Sequence, residues 1–336
     1  MIELIKSGIP QYKANLHCHS TLSDGKLTPE DLKAAYKNAG YSVLAITDHE
    51  YPYDHSDMTD GDFLMLTGYE AYIRTTPDGK YDVYLPEVHI NLLARDPHNT
   101  TYVGYKDFYC RYVKDAAVRE GFKKVFCERE REYTPDYVNA FVRAAKENGY
   151  ICTHNHPYWS LEDRSTIGEY EGFFSMEMCN YSSYVTNNLE YNAQLYDWLL
   201  RRGKHIACHS SDDNHNKSPL DSPYSDSFGG FTMIMADELS YSSVFSALER
   251  GEFYSSMGPT IKSLTVDGDT VHIETDPVER ITLFTGSKRP QFVIGEDLTS
   301  ADFTLDGREK YIRLTATDSR GRSADTRGYF PDELKG

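Results

Sequence analysis

Two textures of hydrophobic patterning succeed one another along the chain, and the change falls near Met257. Before it, short apolar segments rich in β-branched residues alternate with helical stretches, the pattern of an α/β fold. Ala14-Asn15-Leu16-His17 reads as a strand. Thr28-Pro29-Glu30-Asp31 then opens a helix with an N-cap, proline at the first position and acids in the first turn, and Gly40 ends it. The strand YSVLAIT, from Tyr41 to Thr47, delivers Asp48-His49, and Phe63 to Thr67 delivers Gly68-Tyr69-Glu70. Thr134-Pro135-Asp136 caps a helix that Gly149 stops, after which Tyr150 to Thr153 leads into His154-Asn155-His156-Pro157. A helix from about Asn187 to Arg202 stops at Gly203, and His205 to Cys208 leads into His209 through His215. Polar groups thus follow strand ends, where α/β folds gather their active-site loops, so residues far apart in sequence are expected to converge. The stretch from Ala94 to Thr134 looks like an insertion over that face.

After Met257 the segments SLTVDG, TVHIETD, RITLFTG, ADFTLDG and YIRLTATDSRG alternate apolar and polar residues and end in glycine turns. They predict a small antiparallel β-sandwich. The expected organisation is residues 1–257 as one domain and 258–336 as a second.

Candidate chemistry changes the picture more than composition does. Twelve histidines yield two H-x-H pairs, His17/His19 and His154/His156, and Asp213/His215 adds a D-x-H. In extended backbone, positions i and i+2 face the same way, so each pair can offer two ligands to one side of a strand end. Imidazole with carboxylate suits zinc, manganese or iron.

Taken in order, His17-Cys18-His19, Ser23-Asp24-Gly25, Thr47-Asp48-His49, Gly68-Tyr69-Glu70, His89 in HINLL, His156-Pro157 and Asp213-Asn214-His215 resemble the motifs of the polymerase-and-histidinol-phosphatase (PHP) domain across residues 1 to about 250. The resemblance implies a distorted seven-stranded (β/α) barrel with two or three divalent metals at its strand C-termini and hydrolytic, mainly phosphoesterase, chemistry. Carried over motif by motif, it implies that His17, His19 and Asp213 bind a first metal, Glu70 bridges to a second held by His89 and His156, and Asp24, His49 and His215 bind a third. Asp24 stands where some relatives have histidine. Asp48 reads as a support or weak ligand, and Asp212 competes with Asp213, whose D-x-H spacing favours it. His154 either supports the site, faces the substrate or ligates in place of His156. Glu177, polar within FFSMEMCN, either supports a ligating histidine or faces solvent. Arg129, Arg131 and Arg164 are candidates for binding an anionic substrate group. The C-terminal block resembles the two-domain branch that includes carbaryl-hydrolase-like metallohydrolases.

The function expected from these residues is hydrolysis of a small phosphorylated metabolite by a metal-bridging hydroxide, with no protein nucleophile. Neither a C-x-x-x-x-x-R loop nor a G-x-S-x-G elbow is present. An amide or carbamate metallohydrolase and a non-catalytic metal-stabilised binding module are the alternatives. A net charge of −17 argues against general nucleic-acid binding. Six cysteines without a C-x-x-C pair point to reduced thiols, and no apolar run reaches the ~20 residues of a membrane span. With no export signal recognised, a cytoplasmic protein without membrane partners is expected. His272 reads as a strand residue facing solvent, so the β unit is expected to supply no metal ligand.

Overall fold

The computed structural model describes residues 1–76 and 80–335. The fold is mixed α/β around one large sheet. Its first half comprises β1 (Ile2–Ile5), β2 (Gln11–Asn15), α1 (Pro29–Asn38), β3 (Val43–Ile46), β4 (Leu64–Arg74), β5 (Glu87–Ala94), β6 (Tyr102–Val103), α2 (Ala116–Gly121), β7 (Lys124–Val125), α3 (Pro135–Glu147) and β8 (Tyr150–Asn155). Then come α4 (Arg164–Ile167), β9 (Ser175–Asn180), α5 (Tyr181–Asn187), α6 (Ala193–Arg201), β10 (Ala207–Ser211), β11 (Phe231–Met235), α7 (Tyr241–Arg250) and β12 (Phe253–Ser256). The rest is strand: β13 (Ile261–Asp267), β14 (Thr270–Phe284), β15 (Gln291–Thr304), β16 (Arg313–Thr317) and β17 (Ser323–Asp325).

Local chemistry explains the helix ends. Thr28 Oγ1 accepts from Asp31 N at 3.2 Å and Thr134 Oγ1 from Tyr137 N at 3.3 Å, satisfying amide groups that the first turn leaves free. Leu32 and Tyr36 bury the inner face of α1, and Tyr137, Val138, Phe141, Val142 and Ala145 that of α3. Beyond these helices the chain reverses at Gly40 and Gly149, whose φ of +78° and +85° favour glycine.

Seven strands run side by side in the order β2-β3-β4-β5-β8-β9-β10. The pairs β2/β3, β3/β4, β8/β9 and β9/β10 are parallel, whereas β5 is antiparallel to both neighbours. Strict strand–helix alternation therefore fails there. A parallel neighbour needs a long crossover, usually a helix, and no helix lies between β4 and β5 among the described residues, so the chain doubles back. The two ends of this run meet beyond β2 and β10, where Asp213 N donates to His17 O at 2.9 Å and His19 N to Asn214 O at 3.1 Å.

Hydrogen bonding and core continue without a break through residue 257. β12 pairs with β17 through Ser255–Asp325 and Ser256–Ala324, and β1 pairs with β13. One apolar cluster joins Leu44, Ile46 and Phe231 to Ile261, Ile281 and Leu314. The strands after Met257 are antiparallel additions to the same sheet, joined to it where β17 pairs with β12. No helix among the described residues is long and apolar enough to cross a membrane.

Candidate metal centre

Strands β4 and β5 and the loops that follow the other strands bring nine side chains together. Glu70, within β4, lies at the middle: its Oε1 is 3.2 Å from His17 Nε2, 3.1 Å from His89 Nδ1 and 3.3 Å from His156 Nε2, and its Oε2 is 2.8 Å from His49 Nδ1. Asp213 Oδ1 stands 2.9 Å from His19 Nε2 and 3.2 Å from His17 Nε2. Asp24 Oδ1 is 3.4 Å from His215 Nε2 and 3.8 Å from His49 Nε2. These atoms form four overlapping groups capable of holding a cation: His17/His19/Asp213, His17/Glu70/His156, His49/Glu70/His89 and His19/Asp24/His49/His215.

Whether a divalent metal fits can be tested on the protons. His17 Nδ1 bonds Glu177 Oε1 at 2.8 Å, and His215 Nδ1 bonds the Asp213 carbonyl at 3.0 Å. Those acceptors place the proton on Nδ1 and leave the Nε2 lone pair of each ring aimed at a carboxylate. His19 Nδ1, His49 Nδ1, Glu70 Oε2, His89 Nε2 and Asp213 Oδ1 are buried and make no hydrogen bond. Acceptors facing acceptors in a buried site repel one another, and a cation removes the conflict. Without a cation, protons take its place: against burial, the facing carboxylates raise His17 well above its ordinary value and His89 to about 10. Burial alone would raise the carboxyls of Glu70 and Asp213, but the facing imidazoles hold both well below the ordinary range. Burial and the neighbouring His49 and His215 depress His19 to about 4.

A ring of uncharged donors and one carboxylate fixes these groups. Glu177 also accepts from His156 N at 2.8 Å, Asn180 Nδ2 at 3.0 Å and the Ser211 hydroxyl. Asn180 donates to Asp213 Oδ2 and Asn155 to Glu70 Oε1, each at 3.0 Å. His156 and Asp213 adopt φ of +25° and +51°, conformations rare for residues with a Cβ, and strain of this kind gathers at functional sites. Asp48 accepts from Ser20 N at 2.8 Å and from the hydroxyls of Ser20 and Ser23 at 2.6 and 2.5 Å. It holds the loop that carries Asp24 and has no metal group of its own.

Several expectations need correction. His154 points away from the site, its Nε2 2.7 Å from Glu162 and its ring beside Tyr170 and Phe173. It sits one position before Asn155, which faces Glu70, and alternation therefore turns it outward; the positive φ of His156 breaks the i, i+2 rule that His17 and His19 obey. Arg131 is buried, bonded to both carboxylate oxygens of Glu50 and to the Gly104 carbonyl. Arg129 pairs with Asp136, and Arg164 lies over Trp198. None of the three lines the cleft. Asp212 is likewise structural: Tyr36, Phe228, Gly229 and Gly230 donate to it, and burial lifts its carboxyl to about 6.

The cleft above the floor has a volume of about 540 Å³, and its cationic wall residues are Arg74, Arg111 and Lys217. The aromatic rings of Tyr72, Tyr81 and Trp159 line it as well, facing Ser182, Ser183 and Thr186 of α5. Sequence reasoning missed these residues. The signal available for Arg111 was its place in the insertion expected over the face, and for Trp159 its position just after His156-Pro157. No residue after Asp226 lines the cleft, and His272 bonds Asp302 far along β14.

Residues 15–117 match the PHP domain family model, a segment that contains His17, His19, Asp24, His49, Glu70 and His89; His156, Asp213 and His215 lie beyond it. No curated protein matches the chain. Among solved structures, a two-domain Bacteroides vulgatus protein containing a predicted PHP-like metal-dependent phosphoesterase is 13% identical, with TM-score 0.47 and coverage of 95% of this chain and 94% of that one. A Bifidobacterium adolescentis protein, provisionally described as a metal-dependent phosphoesterase, is 17% identical over 62% and 90% of the two chains at TM-score 0.38. A Chromobacterium violaceum amidohydrolase solved with sulfate and no metal is 19% identical over 60% and 87% at TM-score 0.36. With TM-scores this low, the functional reading rests on the side chains and not on these likenesses.

Proposed function

We propose that this chain is a metal-dependent phosphoesterase of small anionic substrates, built on a seven-stranded barrel to which residues 258–336 add stability but no ligand. The observation that carries the reading is the floor, where the buried carboxylates of Glu70 and Asp213 converge with the imidazoles of His17, His19, His49, His89 and His156 in overlapping cation-sized groups, beneath a cleft that Arg111 and Lys217 line. His17, His19 and Asp213 would hold one ion, Glu70 would reach from it to a second beside His89 and His156, and Asp24, His49 and His215 would hold a third. Divalent cations there supply Lewis-acid charge for phosphoryl oxygens and lower the pKa of a water. The donor set suits zinc, manganese or iron.

The chain's own groups bind and orient. Glu177 takes the Nδ1 proton of His17 as a hydrogen bond and so keeps the Nε2 lone pair on the floor. Asn155 and Asn180 steady Glu70 and Asp213. Arg111 and Lys217 meet the substrate's negative oxygens at the Asp24 end. No cysteine lines the cleft; with divalent cations to activate it, water is the proposed nucleophile. Its oxygen adds to phosphorus as the bond to the leaving oxygen breaks, and its proton passes to the departing alcohol.

The test is hydrolysis by protein loaded separately with zinc, manganese and iron, across phosphomonoesters, phosphodiesters and carbamates. Turnover of a phosphoester that chelation abolishes and metal restores is the expected result. Stoichiometric metal binding with no turnover overturns the reading in favour of a binding module, and turnover of carbamates alone overturns the phosphoester assignment.

A further inference from the structure

Strand β15 is paired on one side only. Its sole strand partner among the described residues is β14, so its outer edge turns backbone amides and carbonyls to solvent. At the far end a side chain caps that edge: the Gln291 carboxamide donates to Thr304 O at 2.6 Å and accepts from Thr304 N at 3.3 Å. Among the described residues no bond outside the pairing with β14 reaches the backbone of Phe292, Val293 or Ile294. Val293 turns inward to the core that holds Ile281 and Phe303, and alternation turns Phe292 and Ile294 outward, 60% and 61% exposed. Exposed edges are normally broken by a charge or a proline, yet Gln291-Phe292-Val293-Ile294-Gly295 contains neither. The charges stand at its two ends with opposite signs: Lys288 and Arg289 before it, Glu296 and Asp297 after it. All four are exposed, and among the described residues none has an ion pair within its own chain.

We infer that this edge is covered by a second copy of the chain, the two β15 strands running antiparallel about a two-fold axis at Val293. Charge selects the occupant and the direction. The two-fold lays the basic end of each strand beside the acidic end of the other, whereas parallel pairing would set like charges together and a segment of one sign would be repelled at one end. The apolar positions agree. With Val293 opposite its own counterpart, Phe292 faces Ile294 of the other copy and Ile294 faces its Phe292. Opposite residues of an antiparallel pair share a face, so four exposed apolar side chains close into one cluster across the seam. The register with β14 shifts between Ile294 and Leu298, and Asp297 adopts a φ of +51°, so the straight run ends there. Each copy spends its one short edge on the other, and the assembly closes at two. No residue of β15 lines the cleft, which makes the inference independent of the phosphoesterase reading.

Sedimentation of the full chain over a concentration series tests this. A seam so short is smaller than a standard interface, so the wild type is expected to pass from monomer to dimer with a Kd on the order of 10 μM. Ile294→Lys sets an ammonium into the apolar seam and is expected to weaken association more than about a hundredfold, with the melting temperature of the monomer unchanged because the position is exposed. The charged ends are tested by exchange, leaving Asp297 and its positive φ alone. Arg289→Glu and Glu296→Lys each place like charges across the seam twice, and each alone is expected to weaken association about tenfold. An equimolar mixture of the two variants pairs opposite charges at both ends and is expected to associate as the wild type does. A wild type still monomeric at about 500 μM, some fiftyfold above that Kd, would overturn the inference. So would a dimer that Ile294→Lys leaves intact, or a mixture that associates no better than its components.

Discussion

Two places in this molecule bury charged groups, and they do so in opposite ways. Where α6 meets the C-terminal strands, Arg313 donates to Asp197 Oδ1 and Oδ2 at 2.8 Å each and to Asp325 Oδ1 at 3.2 Å. Tyr311 adds a donor to Asp197, while Thr315 and Tyr191 add donors to Asp325. Every charged group there is hydrogen-bonded. At the floor of the cleft, carboxylates and imidazoles of comparable burial crowd together, and His19 Nδ1, His49 Nδ1, Glu70 Oε2 and Asp213 Oδ1 make no hydrogen bond. Satisfied buried charge holds the fold together; the converging carboxylates and imidazoles of the floor are where a cation would complete the pairing.

The comparison breaks if damage at the two places has the same consequence. Arg313→Met strands two buried carboxylates and is expected to cost about 3–5 kcal/mol in urea unfolding, while the protein that remains folded keeps its full metal content. Metal loss without loss of stability would reverse the roles. A buried histidine outside the cation groups offers a sharper case. Burial lowers His209 to about 4, so the unfolded chain takes up its proton near pH 6.5 and the native protein only near pH 4. The stability this histidine lends is therefore present above pH 6.5 and lost as pH falls towards 4, on the order of 3 kcal/mol. Chelated wild type should lose that much more than chelated His209→Gln across this window; parallel curves would refute the assignment.

At the floor, Glu70→Gln should keep the fold while lowering metal-dependent activity more than about a hundredfold, because the shape stays and the bridging charge goes. Retained metal content in that variant would deny Glu70 its central place. The smallest effect belongs to the cleft wall: Arg111→Met should raise KM about tenfold with kcat little changed, whereas Arg129→Met should change neither. Equal effects from both would show that Arg111 reads no substrate charge.

The floor was far more legible in the sequence than the wall. His17/His19 and Asp213/His215 announce themselves because a metal demands particular atoms at short spacing after a strand. His154/His156 carries the same pattern and misleads, since a single positive φ at His156 decides which histidine faces inward. Arg131 looked like a substrate ligand because charge is visible in a sequence and burial against Glu50 is not. The antiparallel β5 and the continuous sheet through β12 and β17 depend on which edges meet, information that alternating patterns do not contain.

The hydrogen bonds that join the two ends of the seven-strand run have a consequence for how the protein is made. Asn15 and Asp212, linked at 3.0 Å, stand 197 positions apart, and beside them His17 and Asp213 share a backbone bond. Half of the centre is thus synthesised long before the other half exists. Contacts of such wide separation form only after the intervening chain has been ordered, so on the ribosome the emerging polypeptide holds its first histidines through most of its growth without the carboxylate that completes their group. A cation held jointly by His17, His19 and Asp213 could therefore find its group complete only after β10 has emerged.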